Sequence, residues 1–310
     1  MGAAGERAEN QELRTKSMGK KIGLALLAAL VALVAGLWAY RQYKLRRAPD
    51  FTSRAGVEPS RKAGTNEAES TSHSENRVPA GREAAPEPLP FSPRTGEVLN
   101  FAANVTKLNS TVANLEVKVG DRKNIAGKNA WHLQAFAHTE NPYRMVFELD
   151  DQFDSYSEAA NFASLQYELH LSERGQRVDN VERMLPSDKD PAPANAAAAR
   201  VLPGTRDPIG MLMYLRGVDW EKTPAVRSPV YDGHKLYDVR AARVARSQTV
   251  SVPAGKFTTT KIEVHVLDNG AEMKDAHFVL YIAEGPERLP VLMEAVLPVA
   301  TASVELVKVH

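Results

Sequence analysis

The chain has 310 residues, with 39 Lys and Arg against 38 Asp and Glu, a net charge of +1. That balance excludes a dedicated nucleic-acid binder, which carries a strongly basic domain, and the lack of cysteine excludes disulfides, thiolate metal sites and a cysteine nucleophile. Hydrophobic residues at 43% and charged residues at 25% are ordinary globular values, so most of the chain is expected to fold around a core.

Residues 22–40 read IGLALLAALVALVAGLWAY without a charge, close to the roughly 20 apolar residues that cross a bilayer as a helix. Trp38 and Tyr40 sit at one end, where amphipathic rings favour the interface, and Lys20, Lys21, Arg41, Lys44, Arg46 and Arg47 bracket the run. The sequence Met18-Gly-Lys-Lys followed by an apolar run also has the form of a signal peptide, and Met18 is an alternative start. The length of the run and the bulky Trp38 and Tyr40, where a cut needs small residues, favour an uncleaved anchor. Residues 1–21 are then a cytoplasmic tail, 22–40 a transmembrane signal anchor, 41–90 a disordered linker and 91–310 a β-rich periplasmic domain. The linker expectation rests on a composition of Pro, Glu, Ser, Ala, Arg and Thr, which buries too little apolar surface to offset ordering.

From residue 91 the apolar period is mostly two. Leu99, Phe101, Ala103 and Val105 share one face, as do Leu115, Val117 and Val119, then Trp131, Leu133 and Ala135, and then Leu165, Tyr167, Leu169 and Leu171. The polar stretch 148–161 reads as a turn or short helix, and 186–203 as a surface loop. Further strands are expected at 237–244, 248–252, 258–267, 277–283, 291–297 and 303–309, punctuated by turn residues such as Asp268-Asn269-Gly270. One helix stands among them. Asp207 is its cap, Pro208 its first residue, and Ile209, Leu212, Met213 and Leu215 an apolar stripe that ends at Arg216.

Four stretches resemble a bacterial domain-of-unknown-function family, number 3108, over about residues 91–309. Gly96-Glu97 before an alternating strand is similar to the family's opening, and Asp207-Pro208-Ile209-Gly210-Met211-Leu212-Met213-Tyr214-Leu215-Arg216 to its central helix, which ends in aromatic-Leu-Arg. Val252-Pro253-Ala254-Gly255-Lys256-Phe257 and Arg288-Leu289-Pro290-Val291 resemble a turn and the start of its last hairpin. Leu280-Tyr281, where the family often has Trp, and Val299-Ala300-Thr301-Ala302-Ser303, in place of Ile-Gly-Ser, depart from the pattern. The resemblance implies an exported β-rich domain and carries over no catalytic residue. The expected fold is mainly β: a curved antiparallel sheet or half-barrel with one central helix.

The chemistry-bearing residues are few. His265 lies opposite the apolar face of Ile262, Val264 and Val266, Glu263 shares its face, and a hairpin through Asn269-Gly270 brings His277 beside it. Two imidazoles begin a metal site, but a transition metal wants three or four ligands and surface strands carry polar residues in any case, so no metal is assigned. His132, His138 and His170 read as solvent-facing. Asp150, Asp151 and Asp154 lack the spacing of a calcium loop. The serines lack a nucleophile elbow, and Asn104-Val-Thr106 and Asn109-Ser-Thr111 matter as sequons only in a eukaryotic secretory pathway. No catalytic, cofactor-binding or metal residue and no cofactor is assigned.

The expected function is that of a non-enzymatic envelope protein in the bacterial inner membrane, single-pass, with its C-terminal domain in the periplasm. Its partners are the inner-membrane lipid bilayer and, on a curved sheet, a lipid, lipoprotein tail or other hydrophobic ligand. The alternative is a structural or protein-interaction module of the envelope. The topology is testable, because the basic cluster 41–47 on the exported side opposes export by local charge alone, whereas large domains translocate largely regardless of charge. Fusions after Ala85 are expected to give periplasmic alkaline phosphatase activity and no cytoplasmic green fluorescence; the reverse pattern refutes export.

Overall fold

The computed structural model describes residues 89–105, 110–145, 148–173, 175–184, 196–199, 201–233, 235–296 and 301–310. The expected membrane segment 22–40 and the linker up to residue 88 lie outside them. Among the described residues no helix is long and apolar enough to cross a membrane.

The strands are β1 (Val98–Val105), β2 (Ser110–Ile125), β3 (Lys128–Thr139), β4 (Asp150–Glu158), β5 (Ser164–Glu173), β6 (Gln176–Arg183) and β7 (Ala196–Ala198). After helix α1 (Pro208–Gly217) come β8 (Ala225–Tyr231), β9 (Leu236–Val252), β10 (Gly255–Asp268), β11 (Ala271–Ala283), β12 (Pro290–Val296) and β13 (Thr301–Val309). They form one curved 13-stranded sheet in the order β7-β6-β5-β4-β3-β2-β1-β13-β12-β11-β10-β9-β8. Neighbours are antiparallel except β6 and β7. Two meanders thus run outward from the β1–β13 pair, and the edges carry β7 and β8.

The alternation read from the sequence is the alternation that forms. Leu99, Phe101 and Val105 of β1, Leu115, Val117 and Val119 of β2, and Leu133 and Ala135 of β3 are buried on the concave face. The expected 237–244 and 248–252 strands are a single strand, β9, with the left-handed Ser247 (φ 53°) interrupting its register with β10.

The stretch 148–161 is not a turn or helix but contains strand β4. Its pattern escaped a hydropathy reading because two of its inward positions are Ser155 and Ser157, both fully buried. β8 was also not anticipated. Pro229 has no amide to give a ladder, which suits an edge strand, and its carbonyl accepts the Arg206 amide at 3.0 Å. Tyr231 returns a bond to the Arg206 carbonyl at 2.8 Å, while the Ser164 amide donates to the Thr205 carbonyl at 2.9 Å. Thr205 and Arg206 therefore stitch β5 to β8 and draw the two arms of the sheet together.

α1 lies inside this curve. The expected one-sided stripe is a correction, since every helix residue except Tyr214 is buried, and the Tyr214 ring is covered by the Arg206 guanidinium at 3.6 Å. Gly210 is the point of closest approach. A Cβ there would stand 2.8 Å from Ser157 Oγ and 2.9 Å from the Phe162 carbonyl oxygen. Before the sheet begins, Leu89 already packs where a Cβ on Gly217 would meet it at 2.8 Å, and its amide donates to the Ala160 carbonyl at 3.3 Å.

The helix is clamped at both ends. Asp207, fully buried, caps the first turn through the Gly210 amide at 2.8 Å and accepts hydrogen bonds from Ser155 Oγ at 2.5 Å and from Ser164 Oγ. Burial pushes its carboxyl above the ordinary value, against those hydrogen bonds. At the other end Arg216 donates from Nη1 to Glu97 Oε1 at 2.7 Å and from Nη2 to Oε2 at 3.2 Å. It also donates to the carbonyls of Arg288 and Glu287. Arg288 in turn donates to the carbonyls of Gly217 and Val218 at 2.9 and 2.8 Å, closing the last turn.

Two stability outcomes follow from this packing. Gly→Ala in an exposed helix interior stabilises by up to about 1 kcal/mol, but Gly210→Ala is expected to destabilise by about 1–3 kcal/mol, as overpacking does. An unchanged or higher denaturation midpoint would contradict the close approach. Glu97→Gln leaves the Arg216 guanidinium buried without a counter-charge and is expected to cost about 3–5 kcal/mol, much of it recovered when Arg216→Met is added. Additive losses in that double-mutant cycle would disprove the pairing.

Candidate functional site

Among the described residues four places offer themselves: the concave interior, the seam between the arms of the sheet, a polar cleft of about 270 Å³ past the C-terminal end of α1 where Trp220, Arg246, Thr260 and Glu284 meet, and the outer face. The interior is nearly full among the described residues. Between α1 and the β8–β12 wall a space of about 40 Å³ remains, lined by Leu212, Leu215, Val264, Phe278 and Met293 among others. A second void, of about 10 Å³, lies near Leu212 and Val304. Such volumes admit a water or two and fall far below the roughly 300–1,000 Å³ of small-molecule sites.

The seam holds a larger cleft, about 530 Å³, where Leu165, Met184 and Tyr214 meet Lys128, Arg206 and Arg227. Its cations are engaged. Lys128 pairs with Glu158 at 3.4 Å and Arg227 with Asp238 at 2.6 Å, while Arg206 donates to the Asn161 carbonyl at 2.9 and 3.1 Å and to Ser228 Oγ at 2.7 Å. Burial pulls the Arg206 guanidinium down to about 10. The cleft therefore offers apolar wall more than free positive charge.

On the outer face, strand register gathers two polar clusters. In the first, Asp154 of β4 stands directly across from Glu168 of β5, a like-charge pair that needs compensation. His132 Nε2 at 2.6 Å, Gln134 at 2.8 Å and Gln152 at 2.6 Å supply it by contacting the Asp154 oxygens. Burial pushes the Asp154 carboxyl up, but these hydrogen bonds outweigh it and hold the group below its usual value. The His132 ring stacks on Tyr156 with centroids 4.6 Å apart. His170 lies 2.8 Å from Asp179 and 3.4 Å from Glu168. Desolvation works to lower its pKa, yet the two carboxylates leave it raised. His132 and His170, expected simply to face solvent, are thus woven into a carboxylate network; His138 is exposed and paired with Asp150. Asp150, Asp151 and Asp154 do not converge: Asp151 points to the opposite face from the other two and accepts the Ser172 amide.

The second cluster is at the β10–β11 hairpin. His265 and His277 are direct cross-strand partners, stacked with ring centroids 4.5 Å apart and planes 14° from parallel. Glu263 comes within 3.9 Å of His265 Nε2. The period-two reading had placed these three on one face, and the hairpin through Asn269-Gly270 does bring them together. Glu272, 2.6 Å from His265 Nδ1, was not foreseen, because a register shift between His265 and Leu267 breaks the spacing that would have located it. The hydrogen bond from His265 holds the Glu272 carboxyl below its ordinary value, so the carboxylate accepts and Nδ1 donates.

No curated protein matches the sequence significantly. Among solved structures the chain is similar to the β-barrel-like protein of domain of unknown function DUF1849 from Brucella abortus, at 10% identity and a TM-score of 0.45, over 70% of this chain and 98% of that one. It is also similar to the hypothetical protein CT021 from Chlamydia trachomatis, at 4% identity and a TM-score of 0.34, over 70% and 87% of the two chains. The family match is of a different order. Residues 100–307 match the family described as "Protein of unknown function (DUF3108)"; of the four resembling stretches, three are the helix and its clamp, with Glu97 just outside the matched span, and 252–257 holds the turn between β9 and β10. The chain belongs to the DUF3108 family.

Proposed function

We propose that this chain is a non-enzymatic, single-pass anchored protein of the bacterial envelope whose periplasmic β-domain docks another envelope protein. The anchor is the apolar run 22–40, and the 41–90 linker gives the domain a reach on the order of 35–40 Å at about 5–6 Å × √n. The observation that carries the docking reading is the filled interior. α1 occupies the concave face and leaves about 40 Å³ there, so a lipid acyl chain enters only if the helix leaves. That departure breaks the Arg216–Glu97 pair and uncovers Asp207, groups that are costly to strand without partners. A partner recognised from the outer face requires neither.

A second reading, binding of a hydrophobic ligand, is favoured by the seam cleft, the larger and more apolar of the surface clefts among the described residues. Its volume of about 530 Å³ lies in the range of small-molecule sites, and its paired cations suit an apolar tail better than a charged head. Native mass spectrometry of the full-length chain, extracted from bacterial membranes in mild detergent, separates the two. Docking predicts an apo mass after detergent release together with one discrete protein adduct on cross-linking in cells. A retained phospholipid mass that disappears on Leu165→Trp, which fills the cleft, would replace it with the ligand reading.

A further inference from the structure

We propose that Glu263, His265 and His277 form a binding site for a divalent transition-metal ion, with Zn²⁺ the best-suited probe, on the outer face of the β10–β11 hairpin. The inference is independent of which partner the domain serves.

The three side chains converge. One ligand atom from each lies within 4.8 Å of those of the other two. Strand geometry produces this: Glu263 and His265 are two residues apart on one face of β10, and His277 is the cross-strand partner of His265. Two imidazoles and a carboxylate are a recognised zinc set that leaves a position for water. At Zn–N and Zn–O distances of about 2.0–2.2 Å, tetrahedral ligand atoms stand roughly 3.3 Å apart. Glu263 to His265 Nε2 at 3.9 Å closes to that by a small swing of two half-exposed side chains, and the His265 and His277 rings, stacked 14° from parallel, tilt toward each other so that both lone pairs meet the ion.

Two independent observations lift the cluster above ordinary surface polarity. First, His277 Nε2 is buried and has no hydrogen-bond partner, although a buried polar atom left unpaired costs free energy. A metal ion supplies the missing partner. Second, His265 is prepared as a ligand. Its Nδ1–H donates to Glu272 at 2.6 Å, which in the neutral ring leaves the lone pair on Nε2, the nitrogen nearest Glu263. A carboxylate holding the far nitrogen of a ligating histidine is the usual outer support of a metal site. Among the described residues, Arg240, the β9 partner of His265, is a nearby cation that opposes binding, and its guanidinium is partly neutralised by Asp238 at 3.3 Å.

The other grouping with similar spacing, Asp154, Glu168 and His170, has no comparable preparation. The Asp154 oxygens are taken by His132, Gln134 and Gln152, and His170 Nδ1 by Asp179. A metal there would displace bonds already made.

The test titrates the tag-free, chelator-stripped full-length chain in detergent with Zn²⁺ alone by calorimetry. One high-affinity site per chain is expected, weakened at least about 100-fold in His265→Ala and in His277→Ala, and about 10–100-fold in Glu272→Gln. His170→Ala is expected to bind as the unsubstituted chain does. Lack of binding, unchanged binding in His277→Ala, or loss in His170→Ala instead would overturn the site. Should a variant fail to fold, X-ray absorption on the zinc-loaded unsubstituted chain decides: two imidazoles with oxygen ligands support the proposal, and one imidazole or none refutes it.

Discussion

A helix enclosed by a sheet on nearly every side has no water for the amides of its first turn or the carbonyls of its last. α1 meets that constraint with residues drawn from distant parts of the chain. Asp207 takes the Gly210 amide and is itself held by Ser155 of β4 and Ser164 of β5. At the other end Arg288, just before β12, takes the final carbonyls, and Glu97, just before β1, neutralises Arg216. The helix is thereby tied to both meanders at once. A change of curvature that moved either arm would break a buried, charge-assisted bond.

The same tie explains how so wide a sheet keeps its edges from becoming templates for pairing with other chains. The short β7 covers β6, and the segment leading into α1 covers β8, because Arg206 exchanges backbone bonds with Pro229 and Tyr231. Asp207 is the next residue. The cap of the helix and the strap across the seam are thus one continuous stretch of backbone, and seating the helix sets the strap.

Much of this was legible where residues obey a period. The inward alternation of β1, β2, β3, β5 and β10 and the Asp-Pro start of α1 are visible in the sequence, as is the juxtaposition of His265 with His277. β4 was not, because serines replace apolar residues at the positions that feed Asp207, and a hydropathy pattern cannot distinguish a buried hydroxyl from an exposed one. The all-round burial of α1 was hidden for a related reason: Gly210 and Arg216 interrupt its apolar surface, and their burial is intelligible only once Ser157, Phe162 and Glu97 are in place. Gly96-Glu97, Tyr214-Leu215-Arg216 and Arg288-Leu289-Pro290-Val291 were read as separate resemblances. In the fold these three meet at the C-terminal end of α1, where they form a structural clamp, whereas the fourth stretch, 252–257, holds the turn between β9 and β10.

The two faces of the sheet are consequently under different constraints. Inward positions answer to the helix: Ile262, Val264 and Val266 of β10 are buried in the core, and exchanging one for a polar residue strands a group without a partner. Outward positions on the same strands answer only to their cross-strand neighbours. Asp154 alternates with Ser155 along β4, and Glu263 and His265 alternate with the apolar residues of β10, so outer-face chemistry can change without repacking the interior. Among the described residues, the outer face and the surface clefts are therefore the places where a side chain can change without repacking the interior. The His265–His277 pair sits on that outer face near the Asn269-Gly270 turn, where cross-strand pairing sets the two rings side by side and Glu272 orients His265.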